Sequence, residues 1–143
     1  MWDELWRREA PPHLSQPRKV NESPELHLVS SMEWYAIEDQ ASAIRVEPKP
    51  DGAIIQFRIN GIFQNKCEIV ESMLKLLMHR FTLMVPPDNI MRIVINDNRY
   101  NLGLTKEPTN FGERVTMEIT YAGIYRDWTN DWDEIIQRIE QIE

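Results

Sequence analysis

Chemistry needs groups that converge, and reactive side chains are sparse in this sequence. It has one cysteine, Cys67, and three histidines, His13, His27 and His79. No histidine has a second ligand three or four residues away, so no metal site is expected from spacing. Cys67 falls at the expected start of a helix, where the dipole would lower a thiol pKa. A nucleophile also needs a positioned base, and none stands beside it, so a packing thiol is the plainer reading. The five glycines are Gly52, Gly61, Gly103, Gly112 and Gly123. None stands five residues before another that is followed by lysine, so the phosphate-binding loop of nucleotide motors has no match. Without backbone amides wrapped round phosphate, phosphoryl transfer has no platform. The expectation is therefore no enzyme activity, no catalytic residues, no metal and no cofactor.

The remaining charge is surface charge. Asp and Glu number 23 against 16 Lys and Arg, for a net charge of −7. That sign opposes non-specific nucleic-acid binding and docking on anionic lipid. Hydrophobic residues are 42% and charged residues 27%, as in ordinary globular domains. At 143 residues the chain suits one domain with some tail. Folding would bury roughly two-thirds of its surface. A single cysteine forms no intrachain disulfide, which suits a reducing cytoplasm. No apolar run of about 18 residues is present, so no membrane insertion is expected. The first eight residues lack a long apolar stretch and do not read as a secretory signal.

Hydrophobic periodicity places the elements. Residues 1–29 hold Pro11, Pro12, Pro17 and Pro24 among polar groups and read as a flexible arm. Ahead of the prolines, Trp2, Leu5 and Trp6 cluster at helical spacing. They suit either a motif that folds on a partner or a cap that returns onto the domain. Ser30-Ser31-Met32-Glu33 fits a capping box, opening a helix through about Gln40. Ile44 and Val46 alternate, then Ile55, Phe57 and Ile59, across the turn cluster Pro48-Lys49-Pro50-Asp51-Gly52. Asn60-Gly61 turns the chain into a short strand at Ile62-Phe63. Residues 66–81 read as an amphipathic helix carrying Ile69, Met73, Leu76 and Leu77, ended by Pro86-Pro87. Met91, Ile93 and Ile95 alternate, as do Tyr100, Leu102 and Leu104 after a turn at Asn96-Asp97-Asn98. Residues 107–112 read as a loop before a strand with Val115, Met117, Ile119 and Tyr121. Trp128, Trp132, Ile135, Ile139 and Ile142 then make a narrow apolar stripe, which packs on the sheet or docks on a partner. Helices set between hairpins imply α+β architecture with an antiparallel sheet. The divisions expected are an arm at 1–29, a core at 30–124 and a C-terminal amphipathic helix at 125–143.

Three runs carry a resemblance: Ala41-Ser42-Ala43-Ile44-Arg45-Val46-Glu47-Pro48, Arg58-Ile59-Asn60-Gly61, and Glu107-Pro108-Thr109-Asn110-Phe111-Gly112-Glu113-Arg114-Val115. In order and spacing they resemble A-S-D-I-H-I-E-P, R-I-D-G and L-P-T-x-F-G-E-R-V of the type II secretion and type IV pilus assembly ATPases. The similar region is the N-terminal domain next to the motor, roughly Ser30 to Tyr121 here. The resemblance implies a PAS-like fold. In that family the domain covers the motor's nucleotide and supplies arginines to its phosphates, a role that suits a planar guanidinium. One such arginine follows a P-Q-D-G run; this sequence has Pro86-Pro87-Asp88-Asn89, then Ile90. The other lies in a D-L-R run, here Asn101-Leu102-Gly103. Ala43, Arg45 and Asn60 replace the family's aspartate, histidine and aspartate. Arg92 and Arg99 lie nearby, though a strand position facing solvent is the simpler reading of Arg92.

The expected function is a non-catalytic protein-interaction or regulatory module, a stand-alone relative of that domain. Its partner would be a secretion or pilus ATPase or another component of the machine. Contacts would use Trp2, Leu5, Trp6, Trp128, Trp132, Ile135 and Ile139. Glu47, Pro48, Gly61, Pro108, Gly112 and Glu113 are expected to hold turns, with Glu113 accepting from a loop amide. One alternative is a small-ligand sensor whose cavity Met73, Met78, Met84, Met91 and Met117 would line. Another is an in-trans partner of a split ATPase.

Overall fold

The computed structural model describes residues 6–8 and 24–125. Its elements are β1 (Arg7–Arg8), α1 (Pro24–Glu38), β2 (Ala43–Lys49), β3 (Gly52–Ile59) and β4 (Ile62–Val70), followed by α2 (Glu71–Met84), β5 (Ile90–Ile95), β6 (Asn98–Thr109) and β7 (Gly112–Ile124). The strands form one sheet in the order β1-β5-β6-β7-β2-β3-β4. Every pairing is antiparallel except β1 with β5. This is the α+β architecture expected. The C-terminal helix expected over 125–143, with Trp128, Trp132, Ile135 and Ile139, lies outside the described residues, as do Trp2 and Leu5.

Period-two alternation sorts the sheet into two faces. On the inner face, Ile44, Val46, Ile55, Phe57, Met91, Ile93, Leu102, Leu104, Val115 and Met117 are buried. These are the positions that the alternation picks out. The helices supply Val29, Met32 and Ala36 from α1 and Leu77 and Phe81 from α2. Burying each such large side chain contributes about 1.5–3 kcal/mol. Arg80 of α2 also donates to Glu25 Oε1 of α1 at 3.0 Å, fixing one helix against the other.

Turns of two residues close the hairpins. Asn60-Gly61 lies between Ile59 and Ile62, with φ of 53° and 80°. Asn96-Asp97 lies between Ile95 and Asn98, with φ of 50° and 60°. Both pairs have the left-handed conformation of type I′ turns, which matches strand twist and favours Asn, Asp and Gly.

Three elements depart from the sequence reading. First, α1 starts at Pro24, with proline in the first turn, so Ser30 and Glu33 sit mid-helix and form no capping box. It ends in a Schellman motif: Ala41 N donates to Ala36 O at 2.8 Å and Gln40 N to Ile37 O at 3.0 Å. Gln40, with φ 59°, takes the place usually filled by glycine. Second, residues 66–70 continue β4 instead of opening α2. Ile69 pairs with Ala53 and Val70 with Gly52, where β-branched side chains are at ease. Cys67 is therefore in a strand, away from any helix dipole, and burial pushes its thiol pKa up. Third, the expected loop at 107–112 is strand as far as Thr109, with only Asn110-Phe111 turning.

Gly52 is where the backbones approach most tightly. An added Cβ would lie 2.0 Å from the Ile69 carbonyl oxygen, at φ 153°. Gly52→Ala should destabilise the fold by about 2 kcal/mol or more, since backbone cannot yield as a side chain can. Urea unfolding followed by circular dichroism measures this. An unchanged midpoint would contradict the packing.

Candidate functional site

The outer sheet face carries the polar chemistry. Its centre is the seam where β2 pairs with β7, from Ala43↔Glu118 to Val46↔Val115. Pro48 has no N–H to donate, and the β2–β7 ladder stops before it, whereas β2–β3 pairing runs on to Lys49↔Gly52. Just past that end, Arg114 grips Glu47 with both sides of its guanidinium, Nη2 lying 2.6 Å from Oε1 and Nε bonding Oε2. At the other end, Arg58 of β3 reaches over Ala43 to Glu118 of β7, with Nη1 3.0 Å from Oε1 and Nη2 on Oε2. Arg58 Nε also donates to Ser42 Oγ at 2.8 Å. Two forked bridges thus stand at the two ends of the seam.

Between them lies Arg45. Its Nε donates to Gln56 Oε1 at 2.8 Å, and its guanidinium carbon sits 3.7 Å from the centroid of the Phe63 ring. Arg58 flanks the same ring at 5.6 Å. Gln56 passes the network on, donating to Asn65 Oδ1 at 2.8 Å. No ion pair to Arg45 occurs among the described residues, whereas Arg58 and Arg114 are committed to carboxylates. A planar cation on an aromatic face, ringed by amides, is suited to recognition.

Of the residues expected to hold turns, Gly61 lies in one, whereas Glu47, Pro48, Pro108, Gly112 and Glu113 lie in strands. Glu47 fixes Arg114, Gly61 takes left-handed φ, and Gly112 lies against Pro48, 3.7 Å from an added Cβ. Pro108 pairs opposite Glu113 in the β6–β7 ladder. Glu113 does not hold the turn. Thr109 does: its Oγ1 donates to Gly112 O at 2.6 Å and accepts from Phe111 N at 3.2 Å. A hydroxyl can do both at once, which a carboxylate cannot.

The two positions where the family would carry arginines are a single place. Ile90 pairs directly with Gly103 across β5 and β6, and Gly103 pairs on its other side with Glu118. A sec-butyl group, a hydrogen and a carboxylate stand there instead of two guanidiniums. Thirteen residues of separation hid this in the sequence. Arg92 is not simply solvent-facing: it is half-buried, its Nη2 lies 2.6 Å from Asp88 Oδ2 and its Nη1 donates to Ile90 O. That contact holds the Asp88 carboxyl below its usual pKa, with Ile90 N helping. Arg99 sits over Trp6 at 5.2 Å from the ring, beside the β1–β5 pairing. Trp6 therefore lies on the domain in this structure. Met91 and Met117 are core residues, and none of the five methionines expected around a cavity borders the groove between α1 and β4. Among the described residues no three His, Cys, Asp or Glu side chains gather as a metal site. No described helix is long and apolar enough to cross a membrane.

The Glu47–Arg114 bridge gives a pH test. Hydrogen bonding from Arg114 holds the Glu47 carboxyl below its ordinary pKa, against the opposing effect of burial. The folded state thus favours the charged form more than the unfolded chain does. Its stabilisation is present above the unfolded carboxyl pKa and is lost as pH falls through the lowered folded value. Wild type should therefore have a higher urea midpoint than Glu47→Gln at neutral pH, and the two should converge in acid. A gap independent of pH would contradict the assignment.

Comparison with known proteins agrees with the motifs. No family model matches the chain. Over 108 residues, 69% of the chain, it is 27% identical to type II secretion system protein E of Dickeya dadantii and 25% identical to that of Pectobacterium carotovorum. The protein of Aeromonas hydrophila is likewise 25% identical over 108 residues. The chain spans 22% of the length of each of these relatives. The crystal structure of the Legionella pneumophila ATPase DotB overlays 79% of the chain and 31% of its own, with 13% identity and a TM-score of 0.42, too loose to bear weight. The likeness thus reaches well beyond the three motifs: over 69% of its length the chain is similar to type II secretion system protein E, spanning about a fifth of that protein.

Proposed function

We propose that this chain is a non-catalytic, protein-binding module of a type II secretion or type IV pilus machine. It acts in the cytoplasm, and its partner is the machine's ATPase or a component that touches it. The reading rests above all on the Ile90–Gly103 pair, together with the relatives' name. Where the resemblance implies an arginine fork for phosphate, this sheet offers an apolar spot beside Glu118, a carboxylate already held by Arg58. A site of that kind does not attract a nucleotide. What the chain keeps is a PAS-like scaffold whose outer face presents Arg45 on Phe63. Arginine and aromatic side chains are the usual anchors of protein interfaces. The reading of the chain as an in-trans half of a split ATPase loses support at the same spot, since such a half would need outward arginines.

The experiment is capture of the type II secretion or pilus ATPase from the same organism on the immobilised protein. The paired change Arg45→Ala with Phe63→Ala should reduce capture at least tenfold while the circular dichroism spectrum stays native. Trp2→Ala with Trp6→Ala measures the arm's share in the same assay. Calorimetry with ATP should show no binding to the isolated protein. Tight ATP binding, or hydrolysis abolished by a point change in the sheet, would overturn the proposal.

A further inference from the structure

A groove of about 360 Å³ opens on the inner side of the sheet, between α1 and the terminal strand β4. That volume is at the lower end of small-molecule sites, which run from about 300 to 1,000 Å³. Ile55 and Phe57 form its floor, and Leu28, Met32 and Tyr35 of α1 form its wall. The α1 residues step by four and three, so one helix stripe faces the opening, and Asp39 beyond the helix end continues it.

The polar part of the groove is placed by an irregularity. Ile55 pairs with Cys67 and Gln56 with Asn65, which leaves Lys66 as the extra residue of a β-bulge. Bulges re-aim side chains that regular alternation would send elsewhere. Here the ammonium comes to the inner side, 5.7 Å from the Phe57 ring centroid and 3.6 Å from Asp39 Oδ2. The second distance is too long for a hydrogen bond, so Asp39 steadies the ammonium without saturating it. An apolar trough therefore ends at a cation with donors to spare. The adjacent carboxylate brings the local charge to zero, so an occupant held by the spare ammonium donors is better singly than doubly charged.

We propose that this groove binds a small apolar monocarboxylate, its aliphatic or aromatic body on Ile55, Phe57 and Met32 and its carboxylate on Lys66 Nζ. The groove opens on the opposite face of the sheet from Arg45 and Phe63, so its test is separate from partner capture. Decanoate is a suitable probe on the full chain, and alkylation of Cys67, the chain's one thiol and part of the groove's lining, is a direct reporter. Decanoate should slow alkylation by iodoacetamide saturably, and titration calorimetry should give the same affinity. Lys66→Met should weaken decanoate about fivefold or more and leave decanol unchanged. Asp39→Asn should tighten decanoate, because it removes the competing carboxylate. Met32→Trp, which fills the trough, should abolish protection. Absence of protection in folded wild type would overturn the proposal. So would equal decanoate affinity in wild type, Lys66→Met and Asp39→Asn, which would mark a merely greasy surface.

Discussion

The structure depends on one seam. β3 and β4 form a hairpin, β5, β6 and β7 form a meander, and β2 is joined to each side by a different kind of contact. Its link to β3 is local, across Pro50-Asp51, whereas its link to β7 joins residues more than sixty positions apart. Closing a loop of that size costs chain entropy before any contact rewards it. What offsets that cost lies on the inner face, where Ile44, Val46, Val115 and Met117 are fully buried along the seam. The ion pairs on the outer face are half-exposed and add little strength. Their value is in register. A slip of one residue would turn every side chain of β2 to the wrong face and part both forks from their carboxylates. The first family-like run supplies the β2 side of this seam, and the third meets it at its end, through Val115 opposite Val46 and Arg114 on Glu47.

The same sheet accounts for the functional reading. A face that greets phosphate needs unspent cations, and here the guanidiniums of Arg58, Arg92 and Arg114 are tied to carboxylates. Arg45 and Arg99 instead rest on aromatic rings, those of Phe63 and Trp6. Most guanidiniums of the described sheet are thus already engaged.

Much of the fold was legible in the sequence because the sheet has one wet and one dry face. Alternation at Ile44–Val46, Met91–Ile95 and Val115–Ile119 marked the strands and their inward side together. Asn60-Gly61 and Asn96-Asp97 gave the hairpins through their conformational preference. The end of β4 was misread because Ile69, Met73, Leu76 and Leu77 fall in helical phase, and only the ladder to β3 decides that Ile69 belongs to a strand. The start of α1 was misread because a serine and a glutamate at capping distance also fit a helix interior. The Glu47–Arg114 fork was out of reach, since its partners are 67 residues apart and each has nearer charges. Its two halves were singled out, but only as members of separate motifs.

Ala43 shows what such a seam requires of its smallest member. It has no exposed surface, although it stands on the outer face, because Arg58 and Glu118 close over it. The methyl group is a spacer, filling the floor of a bridge without touching its charges. An aspartate at this place, as in the run it resembles, would put a second carboxylate beneath Arg58 and turn a pair into a contest. The carboxylate that Arg58 needs comes from one strand over, at Glu118, and residue 43 has only to leave room for it.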